Sequence, residues 1–198
     1  MIMSKQDLLN TIYTEVATCR KCNLWKSRKN TVAGDGSINA TVLFIGEAPG
    51  YWEDIKGYPF VGAAGKLLDE MLLRAGLSRS EVYISNLLKC RPPENRDPLL
   101  VEVETCTPFL DKQIQIIEPK LIVTLGRHST SYILSKAGFK EVGSITKLRG
   151  KIYEVNILGL SLHVMPTYHP AAALYNARYK SDLENDFQLL KLEPEKRR

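Results

Sequence analysis

Four short apolar runs, Thr41–Gly46, Val82–Asn86, Leu121–Gly126 and Leu162–Pro166, constrain the fold more than any other feature of this sequence. Each is rich in Val, Ile, Leu, Phe or Tyr, and each ends in Gly, Asn or Pro. A strand with one solvated face alternates apolar and polar residues, whereas near-continuous apolar runs mark strands covered on both faces, as in a parallel sheet. The segments between them have helical spacing. In Gly65–Ala75, Leu67, Leu68, Met71, Leu72 and Ala75 fall on one stripe, and Gly76 supplies a C-terminal stop. Asp97 and Pro98 read as a cap and a first-turn residue. After them Leu99, Val103, Cys106, Leu110, Ile114 and Ile117 recur at spacings of three and four. Pro108 predicts a break of that run into two segments, and Pro119 its end. Arg127–Ala137 before Gly138, Gln6–Ala17 ahead of the first strand and Tyr179–Leu192 at the end complete the helices. Lys147–Asn156, with Gly150 near its centre, reads as a small hairpin leading into the fourth strand.

Strands alternating with helices predict an α/β protein: a three-layer α/β/α sandwich around a four-stranded, mostly parallel sheet with right-handed crossovers. The length suits one domain, residues 1–198. In open parallel sheets, ligands bind beyond the carboxyl ends of the strands. Here those ends are Gly46-Glu47-Ala48-Pro49-Gly50, Asn86-Leu87-Leu88-Lys89-Cys90, Gly126-Arg127-His128-Ser129 and Pro166-Thr167-Tyr168-His169-Pro170. The chemically loaded segments gather at one rim, which is the layout of an enzyme.

A hydrophobic share of 44% and a charged share of 25% point away from disorder. Runs such as Leu121–Leu125 are too short to span a bilayer. The start, MIMSKQDLLN, lacks the apolar core and cleavage site of a secretory signal. The expected location is the cytoplasm, where thiols stay reduced. A net charge of +5 and pI near 9.0 fit either a polyanionic partner or a basic surface kept for solubility. Glu195-Lys196-Arg197-Arg198, after Pro194, reads as a solvated tail.

The four cysteines ask for one explanation. Cys106 alone suits a buried thiol on an apolar stripe. Cys19-x-x-Cys22, beside Arg20 and Lys21, does not resemble core, and it precedes any strand, unlike a thioredoxin-type motif. Cys90 follows the second strand. Four thiolates hold either tetrahedral zinc or an iron–sulfur cluster, and ligand count does not separate the two. A zinc ribbon usually offers two close pairs, whereas here only one pair is close.

Taken together, the rim motifs resemble the family 4 uracil-DNA glycosylases, the iron–sulfur branch of that superfamily. The matching segments are Cys19-x-x-Cys22, Gly46-Glu-Ala-Pro-Gly50, Gly57-x-Pro-Phe-Val-Gly62-x-x-Gly65, Asn86-Leu-Leu-Lys-Cys-Arg-Pro-Pro-x-Asn-Arg-x-Pro98, Leu125-Gly-Arg127 and Pro166-Thr-Tyr-His-Pro170. Their order and spacing are specific, and they cover most of the chain. The resemblance implies a [4Fe–4S] cluster on Cys19, Cys22, Cys90 and Cys106. It also implies an enzyme that flips uracil from single- or double-stranded DNA and hydrolyses the N-glycosidic bond, releasing uracil and leaving an abasic site. The chain is expected to be a monomer. A family 5-type glycosylase of broader specificity is one alternative, but that branch has an apolar residue where this chain has Glu47 and lacks the Asn86 match. A non-catalytic iron–sulfur or zinc module that binds nucleic acid is another.

The residues make chemical sense in the roles the resemblance implies. A flipped base needs an aromatic face, and Phe60 matches the stacking residue; its plainer reading is an ordinary core phenylalanine. The Asn86 amide suits uracil's N3–H donor and O4 acceptor and opposes cytosine's reversed pattern, although a strand-end Asn is also a common turn former. His169 matches a neutral imidazole donor to uracil O2, where charge develops on the leaving group. Glu47 is the candidate for handling water and supporting the cationic sugar. Ala48 stands where family 1 relatives carry an aspartate, so their water-positioning scheme does not transfer. Gly46 and Ala48 fall within the pocket motif. Glu53 matches the residue that crowds the uracil C5 edge; its plainer reading is a solvated acid beside Asp54. No lysine is placed for a Schiff base, which predicts a monofunctional enzyme. His163 and His128 read as structural or surface histidines. Arg91, Arg96, Arg127, Arg178 and Lys89 are candidates for phosphate contact. Leu174 or Tyr175 is the candidate wedge into the gap left by the flipped nucleotide.

Overall fold

The computed structural model describes residues 3–192, so the basic tail after Pro194 lies outside the described residues. The helices are α1 (Lys5–Ala17), α2 (Tyr51–Lys56), α3 (Ala63–Arg74), α4 (Leu100–Ile117), α5 (Arg127–Lys136), α6 (Ile145–Leu148), α7 (Pro170–Ala173) and α8 (Ala177–Leu192). The strands are β1 (Asp35–Gly36), β2 (Val42–Gly46), β3 (Tyr83–Asn86), β4 (Leu121–Leu125), β5 (Tyr153–Ile157) and β6 (Leu160–Thr167). They form one sheet in the order β1-β3-β2-β4-β6-β5. Among the described residues, no helix is long and apolar enough to cross a membrane.

The four apolar runs became β3, β2, β4 and β6, all mutually parallel. Their side chains alternate between two cores. Leu43 and Ile45 of β2 face Leu9, Ile12 and Val16 of α1 and Leu110 and Ile114 of α4. Val42 and Phe44 face Leu68 and Met71 of α3 and Leu183 and Phe187 of α8. Phe44 and Phe187 stack with ring centroids 5.8 Å apart. Burial on both faces is why these strands read as continuous apolar runs, and it gives the three expected layers.

The sheet has six strands rather than four. β1 and β5 pair antiparallel at the two edges. Two-residue β1 and half-polar β5, with Glu154 and Asn156, offer no apolar run to the reader of a sequence. The expected hairpin is displaced as well: Lys147 and Leu148 belong to α6, and the turn lies at Leu158-Gly159. Both of those residues have positive φ (54° and 81°), as a type I′ hairpin turn requires.

Two helix expectations also fail. Helix α4 runs unbroken through Pro108. Pro108 and Glu104, whose carbonyl loses its partner, are on the exposed side, while Cys106, Thr107, Phe109 and Leu110 bury the opposite face. Water can satisfy the freed carbonyl, and packing holds the helix straight across the gap. Nor do Asp97 and Pro98 start the helix. The Glu102 carboxylate takes the Leu99 N–H (2.9 Å) and caps it instead, which leaves Asp97 free to reach α5.

Candidate active site

The chain runs from central β2 to β3 on one side and then to β4 on the other, so the strand order reverses between β2 and β4. That reversal opens a crevice at the carboxyl ends. A cavity of about 390 Å³ lies there, and its walls include Glu47, Ala48, Glu53, Phe60, Asn86 and His169. Six residues singled out from sequence thus meet in one place.

Asn86 closes β3 and is buried. Among the described residues, its Oδ1 is the one buried side-chain nitrogen or oxygen without a hydrogen-bond partner. Such groups are rare because burying an unpaired acceptor costs about 1–3 kcal/mol. Gly46, the last residue of β2, makes room for it. A Cβ there would lie 2.3 Å from Asn86 Oδ1 and 2.7 Å from Phe60 Cζ, so any larger residue would displace both. From behind, Lys89 braces the strand end. Its Nζ donates to Asn86 O (2.9 Å), Ser85 Oγ (2.6 Å) and Gln113 Oε1 (2.8 Å). Lys89 is therefore no phosphate ligand: it is fully buried, and burial lowers its pKa to about 8.

Phe60 is held in a left-handed conformation, φ 52°, which costs a bulky residue on the order of 1–3 kcal/mol. Its surroundings hold it there. Arg79 donates to the carbonyls of Pro59 (3.0 Å) and Phe60 (2.6 Å), and is itself tied to Asp69 (2.9 Å). Glu53 Oε1 accepts the N–H groups of Val61 (2.8 Å) and Gly62 (2.9 Å). Gly65 lets α3 press against the loop, since a Cβ there would sit 1.8 Å from Phe60 O. Glu53 is thus a pocket-wall residue locked to the backbone rather than a solvated acid. Arg79 escaped the sequence reading, because its partners are carbonyls that no motif encodes.

The Phe60 ring stacks on His169 with centroids 5.5 Å apart and planes 29° from parallel. His169 Nδ1 accepts the Ala171 N–H (3.1 Å), so the neutral ring carries its proton on Nε2. Burial pushes the His169 pKa down to about 4, against the pull of the Glu53 carboxylate. At neutral pH this side chain is a fixed N–H donor.

Glu47 meets residues from across the strand reversal. Its Oε2 lies 3.7 Å from His128 Nε2, which lies 3.6 Å from Asp97 Oδ1. Arg127 donates to His128 Nε2 (3.1 Å) and pairs with Asp97. Burial raises the Glu47 pKa; His128 opposes this, Asp97 reinforces it and Arg127 opposes it. His128 is therefore neither a remote structural nor a free surface residue, as the sequence had led us to expect. Its place at the carboxyl end of β4 was the available signal.

The other arginines differ. Arg96 lines the cavity and is bound by Glu102 through two bonds of 2.6 and 2.9 Å. Arg91 donates to Asn95 Oδ1 (2.7 Å), another wall residue. Arg178 lies apart, in a crevice with Arg149 and Tyr168. Leu174 and Tyr175 fall between α7 and α8, next to the wall residues Ala171 and Ala172, and Tyr175 is 91% exposed.

All four cysteines line a second, narrow cavity together with Val16, Arg28 and Phe109. Two sulfurs already accept hydrogen bonds: Cys90 Sγ from Arg28 (3.1 Å) and Cys106 Sγ from the Lys89 N–H (3.2 Å). Burial raises both thiol pKa values, that of Cys106 to about 12. Among the described residues, the only trio of His, Cys, Asp or Glu ligand atoms within 4.8 Å of one another is Glu47, Asp97 and His128. No three sulfurs come that close.

The uracil DNA glycosylase superfamily model matches residues 33–191 of this chain. A type-4 uracil-DNA glycosylase from Saccharolobus solfataricus is 55% identical over 93% of this chain and 86% of its own length. The chain belongs to the type-4 uracil-DNA glycosylase family. A second type-4 uracil-DNA glycosylase, from Sulfurisphaera tokodaii, is 54% identical over 93% of this chain and 84% of its own. A type-5 uracil-DNA glycosylase from Pyrobaculum aerophilum is more distant, at 28% over 79% of this chain and 72% of its own. Glu47 and Asn86, which lie in the segments that carry the resemblance, fall in the pocket wall.

Proposed function

We propose that this single-domain chain excises uracil from DNA in the cytoplasm as a monomeric, monofunctional glycosylase. Water attacks C1′ of the sugar, the C1′–N1 bond breaks, and the base leaves as an anion that then takes up a proton. The unpaired Oδ1 of Asn86 carries this reading. A buried acceptor facing a cavity calls for a donor, and uracil N3–H supplies one while Nδ2 donates to O4. Cytosine would set its own acceptor against Oδ1.

The His169 Nε2–H donates to uracil O2 and stabilises the charge that develops there. Phe60 covers one face of the base, Gly46 keeps the pocket floor open, and Glu53 closes the C5 edge against a methyl group. With Ala48 supplying no carboxylate, Glu47 orients the water and, when ionised, supports the cationic sugar, with Arg127 opposing the burial that raises its pKa. Arg91, Arg127 and Arg178 bind phosphate; Arg96, tied to Glu102, shapes the wall. Tyr175, the more exposed of the two candidates, wedges into the duplex with Leu174 behind it.

Cys19, Cys22, Cys90 and Cys106 hold a [4Fe–4S] cluster, which supplies a rigid, anionic, multidentate tie between three parts of the chain. Sulfurs on one zinc with 2.3 Å bonds would lie about 3.8 Å apart; the wider spacing here favours a cluster. The test is uracil release from single- and double-stranded oligonucleotides by wild type, Asn86→Ala and His169→Ala. We expect release by wild type and losses of 100-fold or more in the variants. No release by wild type, with variants binding DNA equally, would overturn the reading.

A further inference from the structure

Beside the pocket-wall residues Gly50 and Glu53, two aromatic side chains stand in solvent. Tyr51 is 48% and Trp52 54% exposed, in the first turn of α2. They contact each other edge to face, with centroids 5.2 Å apart and planes at 81°. The Arg91 guanidinium lies 5.2 Å from the Tyr51 ring centroid and also holds Asn95. The pair is continuous with the cavity on both sides. Gly50 and Glu53, which flank it in sequence, and Asn95, at the far end of the Arg91 bridge, are all wall residues. Trp52 Cδ1 would lie 3.4 Å from a Cβ on Gly62, so the indole also rests on the Phe60 loop.

We propose that Trp52 is a stacking platform for an unpaired nucleobase that neighbours the flipped uracil, with Arg91 taking the adjoining phosphate. This rests on the uracil-excision reading and extends it from the base to the flanking strand. Arg91 lies over the Tyr51 ring, and Trp52 is the more exposed of the two, so the indole is the ring left for a base. A base within a duplex has both faces covered by its neighbours; a base in a single strand has a face to offer. Aromatic platforms beside a cation bind single strands without regard to sequence, because every base has a π-face. The platform therefore favours single-stranded over duplex substrate.

The test uses the intact protein with two probes. The first is a uracil-free oligothymidylate, followed by quenching of tryptophan fluorescence. Trp52→Phe should abolish most of the quenching, and Trp25→Phe should leave it. The second is a single-stranded uracil oligonucleotide with an abasic spacer placed on one side of the uracil or the other. Trp52→Ala should weaken single-strand binding about tenfold, with kcat within twofold and duplex binding within threefold. Trp52→Phe should restore most of the affinity. In wild type, one of the two spacers should reproduce the loss, and in Trp52→Ala that spacer should add nothing. Wild-type affinity of Trp52→Ala for both probes would overturn the proposal and leave the pair as a protein-docking surface. Equal losses on single strand and duplex, or no rescue by Phe, would overturn it too. Oligothymidylate contains no uracil, so its binding judges the platform even if excision itself fails.

Discussion

Two sites lie at either end of one five-residue stretch, and they are built in opposite ways. Asn86 ends β3 in an open cavity with an acceptor left unpaired. Cys90, no more than about 13–14 Å further along the chain, faces a narrower, more closed cavity lined by Val16, Phe109 and three other sulfurs. The first site leaves one polar atom unsatisfied and holds its walls in place from outside, through Lys89, Arg79 and Glu53. The second buries Cys90 and Cys106 and half-buries Cys19 and Cys22. The difference separates a surface that must receive a ligand from one that must never let go. Residues 87–89 join them, so the tight site fixes where the open one begins.

That comparison predicts unequal effects of substitution. The largest falls on the open site: His169→Ala should lower the single-turnover rate of cleavage by about 10²–10³, with the concentration for half-maximal rate changed only a few-fold. A comparable loss of DNA affinity would mean that the pocket had collapsed instead. Next comes the closed site. Cys90→Ser should lower the melting temperature by roughly 10 °C, several kcal/mol in a chain of this size. Limited proteolysis should cut near Arg91 before the sheet loses hydrogen-exchange protection. Simultaneous loss of both would erase the distinction between loop and sheet.

Two smaller effects depend on pH. The His169 pKa of about 4 lies below the 6.5 of an unfolded chain, so unfolding takes up a proton between these values. The stability present above pH 6.5 should therefore decline as the pH falls toward 4, and His169→Gln should flatten that decline in thermal melts. Asp97 raises the Glu47 pKa. Asp97→Asn should accordingly move the acid limb of kcat/KM to lower pH. An unmoved limb would remove Glu47 from the ionisations that matter.

Much of this was legible in advance, for a physical reason. Strands buried on both faces write themselves as apolar runs, and Leu43 and Val42 show why: each face has its own core. Pocket residues at strand ends are equally visible, because the sheet's topology fixes where ligands bind. Contacts that depend on packing were hidden. Lys89 looks like a surface cation until Ser85 and Gln113 close around it. His128 looks idle until β4 lies beside β2. Pro108 looks like a break until the buried face of α4 outweighs one lost bond. Edge strand β1 is too short to carry any pattern, and Arg79 reaches carbonyls 19 and 20 residues away.

The unpaired oxygen of Asn86 has a last consequence, for turnover. Cleavage happens at N1, and the edge of the base that Asn86 reads is the same before and after. With Asn86 and His169 in the proposed roles, the excised base still answers the acceptor, and until it takes up its proton it binds the His169 N–H more strongly than the intact nucleotide does. An empty pocket that is itself unsatisfied holds on to what fills it. On that reading, departure of the product is a step that this geometry slows.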